Sequence, residues 1–436
     1  MIPRDECRTC GKPLTKPAGR PGRTSLYCSP ACRQKAYRER STPAGDPVPE
    51  LIADIEHKVK ALVPDLPVEF YTEVNALSGS VGKLRRIAKD AYTASTAAPS
   101  QNVTAEPVTE SRFAAMVEPH RRELQVHCYR MLASYDDAED LVQETFLRAW
   151  RRRDSFEGRA TFRAWLYRIA TNACLDFLRQ HNRTPGTYLK LPGFQHGDAD
   201  PPARIPWLQA YPDDQLPDIA DQEPSPEAES VGRETMELVF LAAIQHLPPR
   251  QRAVLIMRDV LGWPAADTAQ QLDMSVASVT SALQRARPAL REWLPANRLD
   301  WTRPVLTSDD ERDILARYMA AAAELDIGAM AALLSAEAKL TMPPNPMWFI
   351  GRDAILNFIR PTFDPDSPAF FGRWRHLPTR ANGMPAVAAY VQRPGTAVYR
   401  AQLLDVLRVE HGTIVEITTF EPHVLPAFGL PLKLSD

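Results

Sequence analysis

The strongest constraint on the fold of this chain is the stretch of residues 137–180, which reads as two amphipathic helices joined by a short loop. Apolar side chains recur at helical spacing along one side of each segment. The first stripe is Ala138, Leu141, Val142, Thr145, Ala149 and Trp150, and the second is Phe162, Trp165, Leu166, Ile169, Ala170, Ala173 and Phe177. Thr161 is a good N-cap, so we expect the second helix to begin there. The sequence therefore predicts two packed helices, each with one polar face.

The residue order of these helices is more specific than their pattern. DAEDLVQETFLRAW followed by FRAWLYRIATNACLDFLR resembles region 2 of bacterial sigma factors of the extracytoplasmic-function class, group IV of the sigma-70 family. The resemblance implies that the first helix docks on the clamp coiled coil of core RNA polymerase. The docking face that it implies consists of Asp140, Gln143, Glu144, Leu147 and Arg151. Without the resemblance, this face would be an ordinary solvated one.

The resemblance also implies that the second helix reads the −10 promoter element and helps to open the duplex. Duplex opening requires cations that neutralise phosphates and planar side chains that stack on bases. The candidate residues are Arg159, Arg163, Trp165, Tyr167, Arg168, Asn172 and Arg179. Trp165 is equally a candidate core residue, because it lies on the apolar stripe. The loop of residues 156–160 occupies the place where the family captures a flipped-out base.

Composition sets broad limits on the rest of the chain. A length of 436 residues predicts roughly three domains. The net charge of −2 does not indicate nucleic-acid binding, but the first forty residues are basic while residues 196–237 are acidic. No apolar run approaches the ~20 residues that span a bilayer, and the N-terminus lacks the apolar core of a signal peptide. We therefore expect a cytoplasmic protein without membrane contact.

Residues 1–40 contain four cysteines at metal-ligand spacing. They are Cys7, Cys10, Cys28 and Cys32. This C-x2-C…C-x3-C set predicts a tetrahedral Zn²⁺ site and resembles a treble-clef zinc finger. A basic helix follows the last cysteine, and DNA contact, protein contact and simple solvation all remain open for it. Residues 49–96 are predicted to form a helical module of unknown role.

Two further segments complete the sigma-like part. Residues 110–184 form the first sigma-like domain, and residues 185–230 read as a flexible acidic linker rich in Pro and Asp. In the family this linker passes near the RNA exit path of the polymerase; a solubilising spacer is the alternative.

Residues 234–295 carry a helix-turn-helix pattern that resembles region 4 of the same family, which reads the −35 element and contacts the polymerase flap. Ser275 is the expected cap of the recognition helix, and Val276, Val279 and Leu283 are its expected anchors. The −35 candidates are Ser278, Thr280, Ser281, Gln284, Arg285 and Arg287. Thr280 and Ala282 stand where many relatives have Lys or Arg, and Pro288 is predicted to end or kink the helix.

Residues 308–436 differ from the helical segments before them, because their helical segments are followed by strand-like runs such as AKLTM, AVAAYV and GTIVEITTFE. This order predicts an α+β cone and resembles SnoaL-like domains of the nuclear-transport-factor fold. A subgroup of these sigma factors, the sigma-G-like one among them, carries such a domain. The fold expected for the whole chain is therefore multidomain and mainly α, with a small zinc finger first and this α+β cone last.

These features predict a sigma factor that binds core RNA polymerase and promoter DNA, performs no covalent chemistry and is regulated in cis by its C-terminal domain. A small-molecule ligand of that domain is suggested by fold resemblance alone. The candidates for its pocket lining, which are equally candidates for the core, are Met342, Trp348, Phe349, Tyr399 and Phe420.

Two alternatives remain: a SnoaL-like cyclase or isomerase fused to DNA-binding modules, and a DNA-binding regulator that does not dock on polymerase. Acid/base chemistry would draw on Asp326, Asp353, Asp405, His376 and His423, but no spacing singles out a pair.

Overall fold

The computed structural model describes residues 48–60, 109–156, 161–217, 235–294 and 308–434. Val48–Lys60 forms helix α1, which belongs to a compact unit of residues 1–107. Lys58 pairs with Asp54 on this helix at 2.7 Å. The predicted zinc ligands Cys7, Cys10, Cys28 and Cys32 lie outside the described residues, so the zinc site stays a prediction.

The second unit, residues 108–436, begins with a bundle of helices. They are α2 (Glu110–Val117), α3 (Arg121–Leu132), α4 (Tyr135–Arg151) and α5 (Phe162–Gln180). Thr161 caps α5 by accepting a hydrogen bond from the backbone N–H of Ala164 at 3.2 Å, which confirms the predicted start. Ser134 caps α4 in the same way through Asp137.

The segment after α5 is not the free spacer that its composition predicts. Residues 181–217 include a short strand pair, β1 (Gly186–Thr187) and β2 (Ala203–Arg204), and pack against their neighbours. The physical reason is that Tyr188 and Tyr211, interspersed among prolines and aspartates, bury almost completely. Their apolar surface outweighs the polar composition of the segment. Residues 218–230 lie outside the described part of the chain.

Within residues 235–294, the described part of the helix-turn-helix domain, there are four α-helices and a π-helical turn. They are α6 (Leu238–Gln245), α7 (Pro249–Leu255), α8 (Ala265–Gln271) and α9 (Val276–Trp293), with the π-turn at Ile256–Val260. Ser275 caps α9 at 3.0 Å from the N–H of Ser278, as predicted. Pro288 does not end α9, because burial of Ala286 and Leu290 on either side holds the helix together. Val276 is 49% exposed and is not the predicted anchor.

The C-terminal domain is an α+β domain, as predicted. Its helices are α10 (Ser308–Ala323), α11 (Ile327–Leu333) and α12 (Arg352–Phe363). Its strands are β3 (Leu334–Thr341), β4 (Trp348–Ile350), β5 (Arg373–Ala381), β6 (Met384–Gln392), β7 (Tyr399–Glu410), β8 (Thr413–Phe420) and β9 (Lys433–Leu434). The strand order is β4-β3-β8-β7-β6-β5, with β9 pairing β7. β3 and β8 run parallel and the other pairs are antiparallel.

Both faces of this sheet are covered. One face packs against α10, α11 and α12 in a core of its own. The opposite face joins a second core that continues through the linker into both helical domains. The sheet residues in that second core include Ala386, Ala388, Tyr390, Leu404, Val406 and Phe420. The C-terminal domain is therefore packed onto the helical domains as part of their core. None of the described helices is both long and apolar enough to cross a membrane.

Candidate nucleic-acid interface

The predicted docking residues lie along the outer side of α4. Asp140, Gln143, Leu147 and Arg151 are exposed and Glu144 is half-buried. Leu147 is 51% exposed, which is high for a leucine in a packed domain. Glu144 accepts a hydrogen bond from Arg148 at 2.7 Å, and Arg148 also reaches Asp176 of α5 at 3.2 Å. These bonds fix α4, which presents the docking face, against α5.

On α5 the structure separates the predicted −10 residues into two groups. Arg179 is exposed, and Arg168 and Asn172 are half-buried. Arg179 pairs with Asp176 one turn earlier on the same helix. Asn172 and Arg179 thus lie at the surface of the described structure, whereas Arg168 is engaged by another side chain, described below. Arg159 lies outside the described residues.

Two −10 candidates are turned inward instead. Tyr167 is 2% exposed and donates a hydrogen bond to Glu123 of α3 at 3.2 Å, so its prediction as a base-stacking side chain is wrong for this conformation. Burial raises the pKa of its hydroxyl well above the usual value. Arg163 donates to the same carboxylate at 2.6 Å and lies over the Tyr167 ring. The internal carboxylate of Glu123 attracts both groups; the sequence pattern alone does not reveal it.

Trp165 belongs to an aromatic cluster rather than to an open surface. Its ring centroid lies 5.3 Å from that of Phe156 and 5.6 Å from that of Phe162. It is half-buried and packs against the core of the helical bundle. Of the two interpretations of Trp165, the structure favours the core one.

The recognition helix α9 presents most of its predicted −35 residues to solvent. Ser278, Thr280, Gln284, Arg285 and Arg287 are exposed, and Ser281 is half-buried. Arg287 is held by a two-pronged ion pair with Asp259, at 2.8 and 2.9 Å. Ala282 is buried, so of the two positions that lack the usual cation only Thr280 lies on the outward face.

The two candidate DNA-reading surfaces meet each other in this structure. Arg168 of α5 donates to Asp273, in the turn before the recognition helix, at 2.6 Å. The rings of Tyr167 and Trp263 are 5.3 Å apart. The ion pair uses the guanidinium of Arg168, which a phosphate contact at the −10 element would also need. Contact between the two surfaces and binding of DNA therefore exclude each other at this side chain.

A buried arginine that sequence reasoning missed joins the same two domains. Arg252 of α7 donates to the backbone oxygen of Met131, at the end of α3, at 2.5 Å. It also donates to the side chain and backbone of Gln245 at 2.6 and 2.8 Å. Burial lowers the pKa of its guanidinium to about 9. Its signal in the sequence was an arginine placed directly before the apolar run of residues 253–257.

Asn382, in the turn between β5 and β6, connects three parts of the chain. It is fully buried and its backbone adopts φ 57°. Its side-chain N–H groups donate to the Tyr129 hydroxyl and to the Met236 carbonyl, both at 2.8 Å. Its side-chain oxygen accepts from the N–H of Tyr211 at 2.8 Å. One side chain thus bonds to the first helical domain, to the linker and to a residue just before α6.

The linker is also attached at the edge of the sheet. The backbone N–H of Ile350 on β4 donates to the His196 carbonyl at 3.0 Å. The His196 ring bonds to the Trp348 carbonyl at 2.6 Å through Nδ1 and accepts the N–H of Leu191 at 2.8 Å through Nε2. Only glycine fits at Gly197, because a Cβ there would lie 1.9 Å from the Ile350 oxygen.

The candidate acid/base residues of the C-terminal domain do not converge on one point. Asp326 caps α11 through the N–H of Ala329 at 2.9 Å, while Asp353 and His423 are exposed. Asp405 is buried and accepts from Tyr318 and Thr419. Burial lowers the pKa of His376 to about 4.

The residues considered as lining for a ligand pocket are mainly core. Trp348, Phe349 and Phe420 are buried, and Met342 and Tyr399 are half-buried. Binding of a small molecule stays a prediction.

Comparison with known proteins agrees with this architecture. Residues 116–184 match the family model of sigma-70 region 2, residues 237–290 that of sigma-70 region 4, and residues 315–417 that of the SnoaL-like domain. The ECF RNA polymerase sigma factor SigG of Mycobacterium tuberculosis is 40% identical over 347 residues, which cover 77% of this chain and 89% of that protein. SigW of Bacillus subtilis is 30% identical over 185 residues, covering 42% and 90%. The crystal structure of M. tuberculosis SigJ aligns with a TM-score of 0.46 and 23% identity, over 73% of this chain and 99% of that one.

Two helical domains of the sigma-70 type, joined by a linker and followed by a SnoaL-like domain, define a sigma factor with a C-terminal extension. The chain belongs to the extracytoplasmic-function RNA polymerase sigma factors, which direct transcription initiation. Within that family it is similar to SigG along most of both chains.

Proposed function

We propose that this sigma factor is held by its own C-terminal domain in a closed form, and that it opens to bind core RNA polymerase and promoter DNA in the cytoplasm. The docking face on α4 would contact the clamp of the polymerase, α5 would read the −10 element and α9 would read the −35 element. In a DNA-binding regulator that does not contact polymerase, the docking face with its exposed Leu147 would have no partner. The SnoaL-like family includes enzymes, but the dispersed acid/base residues favour a regulatory role.

Promoter geometry requires the closed form to open. The −10 and −35 elements are about 25 base pairs apart, or roughly 85 Å along B-form DNA at ~3.4 Å per base pair. In the structure Arg168 and Asp273 are 2.6 Å apart, so both DNA-reading surfaces face the same place. Simultaneous engagement of both elements therefore requires this ion pair and the neighbouring contacts to separate.

Asn382 is the observation on which the proposal depends. Its hydrogen bonds hold the first helical domain, the linker and the segment before α6 against the sheet at once. A buried polar group that loses its partners is destabilised by about 1–3 kcal/mol. Opening breaks all of these bonds together, so Asn382 favours the closed form specifically.

The test is run-off transcription with purified core polymerase at limiting sigma concentration. Asn382→Ala should raise transcript yield several-fold, because about 1.4 kcal/mol shifts a closed–open equilibrium tenfold. Tyr129→Phe removes the hydroxyl that accepts from Asn382 and should act in the same direction with less disturbance of the sheet. Asn345→Ala is the matched control, since Asn345 bonds locally to the N–H of Met347.

Circular dichroism would verify that both variants fold. If folded Asn382→Ala and Tyr129→Phe proteins gave transcript yields equal to or below those of the parent, regulation in cis by this contact would be refuted.

A further inference from the structure

The C-terminal domain carries a concentration of positive charge that lies outside the two sigma domains. From Ser367 to Leu404 the sequence contains no Asp or Glu, but it has arginines at positions 373, 375, 380, 393 and 400. Arg380 has carboxylate partners, Asp213 at 3.3 Å and Glu311 at 2.9 Å. The other four are Arg373, Arg375, Arg393 and Arg400.

The sheet gathers these four arginines and one lysine at one end. Arg373 on β5 lies opposite Gln392 on β6, and Arg393 follows directly in the next loop. Arg400 on β7 lies opposite Val391 on one side and Lys433 of β9 on the other. We call this group the arginine rim; it consists of Arg373, Arg375, Arg393, Arg400 and Lys433. Alternation along β5 places Arg373 and Arg375 on one face of the sheet end, while Arg400 and Lys433 lie on the other face, in register with Val391. The rim therefore runs around the end of the sheet.

Local structure fixes the rim in place. At Gly372 the backbone has φ 114°, and a Cβ would lie 2.1 Å from the Gln392 oxygen, so only glycine allows this close approach of β5 to β6. The Arg393 guanidinium lies 5.0 Å above the Phe371 ring and that of Arg375 lies 5.8 Å above Tyr399. Stacking of this kind orients a guanidinium while leaving its N–H edge available to an anion.

The rim is exposed and most of its charge is not neutralised locally. All five side chains are exposed. In the described part of the chain, no carboxylate lies within ion-pair distance of Arg373, Arg393 or Arg400. Like charges brought together on neighbouring strands repel each other. A surface that retains this repulsion is suited to an anionic partner that carries several charges.

We propose that the arginine rim binds the phosphate backbone of duplex DNA without sequence preference, as a contact additional to the two promoter-reading domains. Four adjacent strand positions at about 4.8 Å span roughly 15 Å. That length of B-form DNA carries about four phosphates per strand. Arginine matches phosphate geometry better than lysine does, and four of the five cations are arginine.

The experiment measures binding of the full-length chain, without polymerase, to a fluorescent 30-base-pair duplex that lacks promoter elements. Fluorescence anisotropy is recorded across a salt series. Substitution of three rim residues, R373E, R393E and R400E together, should weaken binding at least tenfold at low salt. The slope of log K against log salt should become shallower by about 2–3, because each lost phosphate contact removes ~0.9.

A control variant carries the same type of charge change elsewhere in the domain. Arg312 and Arg317 are exposed on α10 and pair with Asp309 and Asp313. R312E with R317E should leave affinity and slope close to those of the parent. Equal losses in both variants would show a general charge effect and overturn the proposal. Unchanged duplex binding by the rim variant, with loss of core polymerase binding instead, would identify the rim as a protein contact and also overturn it.

Discussion

Among single residues, Asp405 shows how a buried polar group makes stability depend on pH. Its carboxyl lies between the sheet and α10, where it accepts from Tyr318 at 2.9 Å and from Thr419 at 2.5 Å. Burial raises its pKa to about 6, and the two hydrogen bonds only partly offset this. The native state therefore binds this proton more tightly than the unfolded chain does. Its contribution to stability is greatest below pH 4 and is lost as the pH rises through 6.

Asp405→Asn should remove this pH dependence. The shift from 3.8 to about 6 corresponds to roughly 3 kcal/mol at about 1.4 kcal/mol per pKa unit. The free energy of unfolding of the parent should fall relative to that of the variant by up to this amount between pH 4 and pH 7.5, measured by urea unfolding. Asp313→Asn, at an exposed position of α10, is the control. A parent-to-variant difference that stays constant with pH would contradict the assignment.

Among the secondary-structure elements, helix periodicity and caps were readable from sequence, but partners distant in the chain were not. The starts of α5 and α9 follow from Thr161 and Ser275, because capping is local chemistry. The inward position of Tyr167 depends on Glu123, 44 residues away, and no local pattern contains that contact. Strand β5 was not recognised, since Pro378 and its alternating arginines resemble a loop; Pro is tolerated there because β5 is an edge strand.

The exposed stripe of α4 allows a direct test of polymerase docking. Leu147→Glu places a charge where a leucine 51% exposed would be buried on binding. We expect the Kd for core polymerase to rise at least tenfold, or about 1.4 kcal/mol. Val398→Glu changes an exposed apolar side chain, 37% exposed, in the loop before β7, outside both sigma domains, and should leave core binding unchanged. Equal affinity of the two variants in a pull-down titration would argue against docking through α4.

For the molecule as a whole, the order of domains was predictable and their arrangement was not. Composition suggested that residues 185–230 separate the domains, whereas residues 181–217 hold them together. The outcome depends on contacts such as Tyr129 with Gln209 at 2.7 Å and Asn382 with Tyr211, which join residues 80 and 171 positions apart. A single sequence carries no direct record of such pairs.

The shared core also predicts the effect of truncation. Removal of residues 308–436 uncovers apolar side chains of the linker and helical domains that now pack on the sheet. We expect the truncated chain to bind a hydrophobic dye strongly and to unfold at a lower temperature than the full chain. No increase in dye fluorescence and an unchanged melting temperature would show that the helical domains do not depend on the sheet. Point variants such as Asn382→Ala are therefore cleaner probes of regulation than deletion.

The bond between Ile350 and His196 has a consequence for the opened protein. β4 is the outermost strand on its side of the sheet, and the linker occupies one of its outward-facing amides. When the linker moves away from β4, this edge strand has unpaired backbone groups and can pair with a strand of another molecule. If the chain opens as proposed, its release therefore carries a risk of self-association, which prompt capture by the polymerase would limit.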